Sequence, residues 1–374
     1  MRKALFIILL LLGVFAESNA RTASTRVNVF AKGLSGYSTF RIPAIIRTKD
    51  NTLLAFAEAR RNSESDTGDI DLVMRRSEDG GRSWGDIIVV WDDAENTCGN
   101  PAPVVDAESG RIILLMTWNS GKDRERQIMR RISLDTRRVF ICHSDDDGLS
   151  WSTPKQITDS VKPEEWAWYA TGPCHAIQLQ HKSHRGRIVI PCVHSLYDGK
   201  HTYYNAHLIY SDDCGESWEI GATLKGGNES TVVELADGSL MHNSRWQRGP
   251  AKYARHYAIS KDGGATCGDI VRDETLIEPV CQGSIIGYSV KSKATNRLLF
   301  SNPASTKQRK NLTIRQSRNG GASWSKGFVI EEGPSAYSDI VILPHKRVGI
   351  LFECGEKSPY ERIDFCTIEP HDLR

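Results

Sequence analysis

Short apolar runs broken by polar, glycine-bearing turns make up most of the chain. Leu53 to Ala57, Ile70 to Met74, Ile87 to Trp91 and Val139 to Cys142 have the length and the β-branched or aromatic content of strands. From Gly68 to Leu72 polar and apolar residues alternate, which puts Asp69 and Asp71 on one face of a strand. No stretch holds apolar residues at the 3.6-residue period of an amphipathic helix. The pattern predicts an all-β chain.

Between strands one phrase, Ser-x-Asp-x-Gly-x-x-Trp, recurs. It is intact at Ser77 to Trp84, Ser144 to Trp151 and Ser211 to Trp218. Ser317 to Trp324 has Asn319 in the Asp position, and Ser260 to Cys267 lacks the Trp. Successive copies begin 67, 67, 49 and 57 residues apart, the spacing of a structural repeat. Within a copy, the Ser and Asp side chains are expected to accept hydrogen bonds from backbone N–H groups one or two residues on. Gly at the fifth position supplies a positive φ, and the Trp would cover the apolar underside of the hairpin. Asp-Gly turns arising by chance account for one copy, not for five at related spacing. The phrase is a hairpin clip with no chemistry of its own, and it predicts a six-bladed β-propeller of four-stranded antiparallel blades.

Residues 1–20 begin with Arg2 and Lys3, continue apolar from Ala4 to Phe15 and end on the small residues Ser18-Asn19-Ala20. This order predicts a secretory signal peptide, an exported protein and a single catalytic domain over residues 21–374. The apolar run is too short for a stable span, and no later segment is long and apolar enough for one. A net charge of +2 with both signs interspersed argues against a nucleic-acid partner. Nine cysteines in an exported chain predict some disulfides and at least one unpaired thiol. None of them has the spacing of a structural zinc site. The glycosylation sequons Asn228-Glu229-Ser230 and Asn311-Leu312-Thr313 adjoin residues given chemical roles below, so both are expected to stay unmodified.

One candidate site residue stands near the start of the exported part, where a single arginine interrupts the apolar run Tyr37-Ser38-Thr39-Phe40-Arg41-Ile42-Pro43-Ala44. Phe-Arg-Ile-Pro followed by several Asp boxes resembles the exo-α-sialidases of the bacterial and animal type, and the resemblance covers essentially the whole exported chain. It implies that Arg41, Arg245 in His242-Asn243-Ser244-Arg245 and Arg309 in Arg309-Lys310-Asn311 bind the carboxylate of sialic acid, with Arg315 as the alternative to Arg309. Guanidinium groups suit that task because they stay charged and offer paired planar donors. The resemblance further implies that Glu353 orients Arg41, with Glu356 as its competitor.

By the same resemblance Tyr337 is the nucleophile and Glu229 the base that takes its proton. A phenol suits a substrate whose carboxylate sits on the anomeric carbon and would repel an anionic nucleophile; such enzymes are a known exception to the two-carboxylate rule. Asp66, in the polar loop Arg60 to Gly68, is the implied acid/base group, with Asp69 and Asp71 as alternatives. Arg60 is implied to contact the substrate, and Asn100 and Trp118 to form the pocket for its N-acetyl group. Trp166, Trp168, Tyr169, Tyr203, Tyr204 and Trp246 are aromatics able to stack on the glycerol tail or the aglycone, and Gly172-Pro173 also matches a family loop.

The activity so implied is retaining hydrolysis of terminal α-linked sialic acids from glycoproteins, glycolipids and oligosaccharides, through a sialyl-tyrosine intermediate and with no metal or cofactor. Two rivals stay open: a trans-sialidase or intramolecular trans-sialidase using the same residues, and a non-catalytic propeller that binds a glycan or protein.

Overall fold

The computed structural model describes residues 25–249, 252–289, 291 and 293–373. The expected signal segment 1–20 lies outside them. Strands dominate, and the α-helices among the described residues are two short ones, Glu125–Met129 and Thr158–Val161. The strands predicted from the apolar runs form at Leu53–Arg60, Ile70–Ser77, Ile88–Trp91 and Arg138–Ser144.

They gather into sheets of seven, five, four and eight strands, not into six separate four-stranded sheets. Two local features merge what the repeat would keep apart. Phe328–Ile342 is a single fifteen-residue strand that pairs with Lys310–Ser317 through its first half and with Val348–Cys354 through its second. A lone parallel bridge from Ile70 to Thr97 joins two further runs. The first described strand, Thr25–Ala31, pairs antiparallel with the last, Arg362–Ile368.

Burial explains why some strands read as continuous apolar runs and others do not. Leu53–Arg60 is buried at every position, as expected for a strand covered on both faces. Val271–Ile277, on a sheet edge, is mostly exposed. Ile45, Val104, Ile177, Val233, Ile286 and Ile340, from six different strands, line one cavity, so those strands converge.

Each Ser-x-Asp phrase forms a turn, but its hydrogen bonds reach further than expected. Gly81 N donates to Ser77 Oγ over 2.8 Å and Ser83 N to Asp79 Oδ1 over 3.0 Å, each spanning four residues. The same pair of bonds recurs at Gly148 and Ser150, Gly215 and Ser217, Gly264 and Thr266, and Gly321 and Ser323. Asn319 accepts as the aspartates do, because only its carbonyl oxygen is needed. Gly81 has φ 91°, and a Cβ there would run into the Phe365 ring, so both conformation and space demand glycine.

In two copies the Trp reaches beyond its own hairpin: Trp84 meets Phe365 edge-on at 5.5 Å and Trp151 meets Phe56 at 5.8 Å, which fastens those hairpins to another strand run. Trp218 instead turns back on its own clip, donating Nε1 to the Gly215 carbonyl over 3.0 Å. Cys267, standing where the Trp would be, packs on the small Ala206, Leu224 and Ala258 cluster.

The expected disulfides are absent: all nine cysteines are free, and seven are buried. Strand register is the reason, since Cys98 lies opposite Trp118, Cys142 opposite Leu114 and Cys366 opposite Ile350. These thiols fill core positions as small apolar groups.

Candidate active site

Glu353, on the strand Val348–Cys354, is wholly buried and accepts four hydrogen bonds. Arg41 Nε and Nη2 donate to its two oxygens over 3.1 and 3.3 Å. Ile42 N and Tyr337 N donate over 3.0 and 3.1 Å. One carboxylate thus fixes a side chain from the start of the chain and the backbone of a tyrosine near its end. Its competitor Glu356 is exposed and its N–H is bound to Glu361.

Tyr337 is only 5% exposed and donates its hydroxyl to Glu229 Oε1. Arg245 Nη1 lies 2.5 Å from Glu229 Oε2 and 3.3 Å from the Tyr337 oxygen. Arg41 and Arg309 stand 5.2 and 5.4 Å from the centre of the Tyr337 ring. Arg309 is braced by donating to Tyr360 Oη over 2.8 Å and to the Val280 carbonyl over 3.2 Å. Arg315 instead has Asp273 as its nearby charge. The structure therefore brings Arg41, Arg245, Arg309, Tyr337, Glu229 and Glu353 into one cluster. Burial, and then the charge of Glu229, push the Tyr337 phenol well above its ordinary pKa against the opposing pull of Arg245 and Arg309. At rest it is a neutral phenol hydrogen-bonded to a carboxylate.

Asp66 joins the cluster through Arg41 Nη1, 3.4 Å away, and lies 2.7 Å from Arg60 Nη1. Its side chain is 69% exposed, on the loop that follows Leu53–Arg60. Partial desolvation pushes its carboxyl up, but Arg60 and Arg41 outweigh it and hold the group below its ordinary value. The alternatives are committed elsewhere. Asp71 is fully buried against Tyr37 Oη and Arg61, and Asp69 pairs with Arg61.

Arg60 is 2% exposed and clamped by Glu58 Oε2 at 2.6 Å. Glu58 Oε1 in turn accepts from Asn100 N over 3.0 Å, which ties the Asp66 arm to Asn100. Asn100 Oδ1 accepts from Arg137, whose guanidinium also donates to Asn119 and Thr117 and stacks 4.1 Å over Trp168. Trp118 is not brought to Asn100. Strand alternation turns Thr117 and Asn119 toward Arg137 and sends Trp118 to the other face, where its Nε1 donates to Asp93 over 2.6 Å.

Sequence reasoning missed Glu58, Arg137, Glu125 and Tyr360. Glu125 lies in the charged run Asp123 to Arg126, which reads as solvated surface, yet the short helix there lets it accept from Tyr204 Oη over 2.5 Å. Burial pushes the Glu125 carboxyl up, and the charges of Asp66 and Glu229 add to the rise. Of the other aromatics, Trp166 stacks on His194 at 3.5 Å in the core, and Tyr169 is fully buried. Tyr203 donates to the surface residue Asp198, and Trp246 stacks on His256 at 4.1 Å.

A buried Cys174, His175 and Asp339 trio lies within 4.8 Å, a grouping that no local spacing announces because 164 residues separate His175 from Asp339. Asp339 already accepts from Ile45 N, His175 N, His175 Nδ1 and Ser284 Oγ. With its oxygens so occupied, the carboxylate acts as a hub between strands rather than as a ligand.

Comparison with known proteins bears on what this cluster does. A family model described as a BNR repeat-like domain matches residues 51–350. Sialidase-3 of Mus musculus is 31% identical over 401 residues, covering 90% of this chain and 92% of its own. An exo-alpha-sialidase of Aspergillus fumigatus is 33% identical over 344 residues, covering 85% and 79%. The solved Hadza microbial sialidase Hz136 superposes with a TM-score of 0.81 at 30% identity, covering 93% of this chain and 69% of that one. These matches, together with a phenol, carboxylates and arginines gathered on a strand-built scaffold, define the protein as a glycoside hydrolase. More narrowly, the chain belongs to the sialidase family.

Proposed function

We propose that this chain is a retaining exo-α-sialidase that releases terminal α-linked sialic acid from glycoproteins, glycolipids and oligosaccharides. The observation that carries the reading is the contact of Tyr337 Oη with Glu229 between Arg245, Arg41 and Arg309. Three guanidinium groups beside one phenol suit a sugar whose carboxylate sits on the carbon under attack.

In the first step the Tyr337 oxygen bonds to the anomeric carbon, its proton passes to Glu229, and Asp66 gives a proton to the departing glycosidic oxygen. In the second, Asp66 takes a proton from water, which bonds to the same carbon as the bond to Tyr337 breaks and the phenol recovers its proton from Glu229. Arg41, Arg245 and Arg309 hold the substrate carboxylate throughout, and their fixed charges stabilise the transition state without reorganising. Asp66 rests unprotonated beside two cations. A substrate carboxylate on Arg41 would weaken that hold and leave the acid easier to protonate.

The scaffold we infer is a six-bladed propeller. Its support is the order of the ladders, which divide into six runs of four strands when Phe328–Ile342 is counted in two and the short Tyr169–Thr171 and Ile177–Gln178, which both pair with Ile188–Tyr197, are counted as one. The fourth strand of the last run is Thr25–Ala31. That run therefore has no hairpin at the position where the other five carry their clips, which explains five phrases for six blades. Export through residues 1–20, with residues 21–374 as one domain, belongs to the same proposal. No helix among the described residues is long and apolar enough to cross a membrane.

The test is an aryl sialoside assay with product analysis, run on wild type, Asp66→Asn and Tyr337→Phe. The expected result is free sialic acid from wild type, near-complete loss in Tyr337→Phe and a clear but smaller loss in Asp66→Asn, because an activated aryl leaving group needs less help from the acid. Inert wild-type protein from acid to neutral pH would overturn the enzyme reading. An anhydro-sugar, or a sialylated acceptor in place of free acid, would replace hydrolysis by transfer; the leech intramolecular trans-sialidase, with a TM-score of 0.76 at 18% identity, has the same fold.

A further inference from the structure

Behind the arginine cluster lies a second ion pair that the reaction does not use. Arg255 Nη1 and Glu278 Oε2 are 3.2 Å apart, and both side chains are wholly buried. A buried pair is weak evidence for stability, because desolvation offsets much of the attraction, so its contacts are the better guide to its role.

Glu278 holds the backbone next to two of the carboxylate-binding arginines. Its Oε1 accepts from Trp246 N, the residue after Arg245, over 2.9 Å. Its Oε2 accepts from Cys281 N over 3.4 Å, and Arg255 Nη1 donates to the Cys281 carbonyl over 3.1 Å. Between Glu278 and Cys281 sits Val280, a β-branched residue at φ 57°, which is costly for such a side chain and persists only where the surroundings over-determine it. The carbonyl of this strained residue is the one that accepts from Arg309 Nη2. Arg255 also donates to Asn243 Oδ1 over 2.7 Å, two residues before Arg245 on the same strand. The Arg245 side chain has few anchors of its own: its Nη1 is held by Glu229 and lies 3.3 Å from Tyr337 Oη, and its buried Nε has no hydrogen-bond partner among the described residues.

We propose that Arg255 and Glu278 are positioning residues for carboxylate recognition: together they hold the backbone that carries Arg245 and the strained Val280 turn that aims Arg309. This rests on the reading of Arg245 and Arg309 as the substrate-carboxylate arginines. It predicts that a change at Glu278 weakens recognition of the carboxylate in particular, without weakening recognition of the rest of the sugar.

The experiment compares inhibition by the 2,3-dehydro glycal of sialic acid with inhibition by its methyl ester, in wild type, Glu278→Asp, Glu278→Gln and Arg255→Lys. Glu278→Asp keeps the charge on Arg255 but shortens the reach to Trp246 N and Cys281 N, and it serves as the variant that folds if Glu278→Gln does not. The expected result is at least a tenfold loss of affinity for the acid in either Glu278 variant. Affinity for the ester should stay within about twofold, and Arg255→Lys, which keeps the pair charged, should lie between these variants and wild type. An acid-to-ester ratio in Glu278→Asp equal to that of wild type overturns the inference. If wild type itself does not prefer the acid over the ester, the carboxylate-cradle reading fails, and that failure is distinct from this one.

Discussion

In the turn from Ser77 to Trp84, Asp79 finds its donors at Ser77, Arg82 and Ser83, none more than four residues away. In the candidate active site, Glu353 finds its side-chain donor at Arg41, 312 residues away, and Tyr337 meets Glu229 across 108. Both regions are built of carboxylates, hydroxyls and backbone N–H groups. The turn is satisfied by its own eight residues and recurs wherever those residues recur. The site is satisfied only when strands from both ends of the chain have come together, so it occurs once. Scaffold and chemistry are therefore separable by mutation, and the predictions below are ways to break that separation or sharpen it.

The largest effect is expected at Tyr337. Tyr337→Phe should lower kcat on the order of 10⁴-fold with no loss of thermal stability, read by steady-state kinetics and calorimetry on the same preparation. Asp66→Asn should come next, with a loss of about 10²- to 10⁴-fold on sialosides having poor leaving groups and a smaller loss on activated aryl sialosides. The turn should show the reverse pattern. Asp79→Ala should destabilise the fold by about 1–2 kcal/mol in denaturant melts, while the kcat of the folded fraction stays at the wild-type value. A fall in kcat matching that at Asp66 would show that turn and site are coupled.

The smallest effect is a displacement on the pH axis. Arg60 favours the ionised form of Asp66, so its loss lets Asp66 keep a proton to higher pH. In Arg60→Gln the alkaline limb of kcat, where the acid is lost, should move to higher pH in a pH–rate profile. An unmoved limb would mean that Arg60 does not set the acidity of Asp66.

The same contrast of range decides what could be read before folding. The clips and the β class were legible because each rests on neighbours in the chain. Even so, the hydrogen bonds within the clip span four residues rather than one or two, and Trp84 and Trp151 reach an adjoining strand run that the phrase itself does not specify. Arg41, Asp66, Glu229, Arg245, Arg309, Tyr337 and Glu353 were recognisable by resemblance, and the structure supplies the contacts that gather them. Arg137 and Glu58 carried no signal, because a buried arginine and a surface one look alike in sequence and only register brings them to Asn100. Trp118 failed for the matching reason: one step along a strand reverses the face. The cysteines were misread because pairing depends on register, which puts Cys98 opposite Trp118 rather than opposite another thiol.

The central claim is that Tyr337, activated by Glu229 within the arginine cluster, forms the covalent bond to the sugar. A sialosyl fluoride bearing a second fluorine at C3 enters the first step readily and leaves the second slowly, so it should trap the intermediate for peptide mass spectrometry. The account predicts one added sugar per chain, on the peptide containing Tyr337, and none on Tyr337→Phe. An adduct on Glu229 or Asp66, or active wild-type enzyme that turns over the probe with no adduct at all, would contradict it.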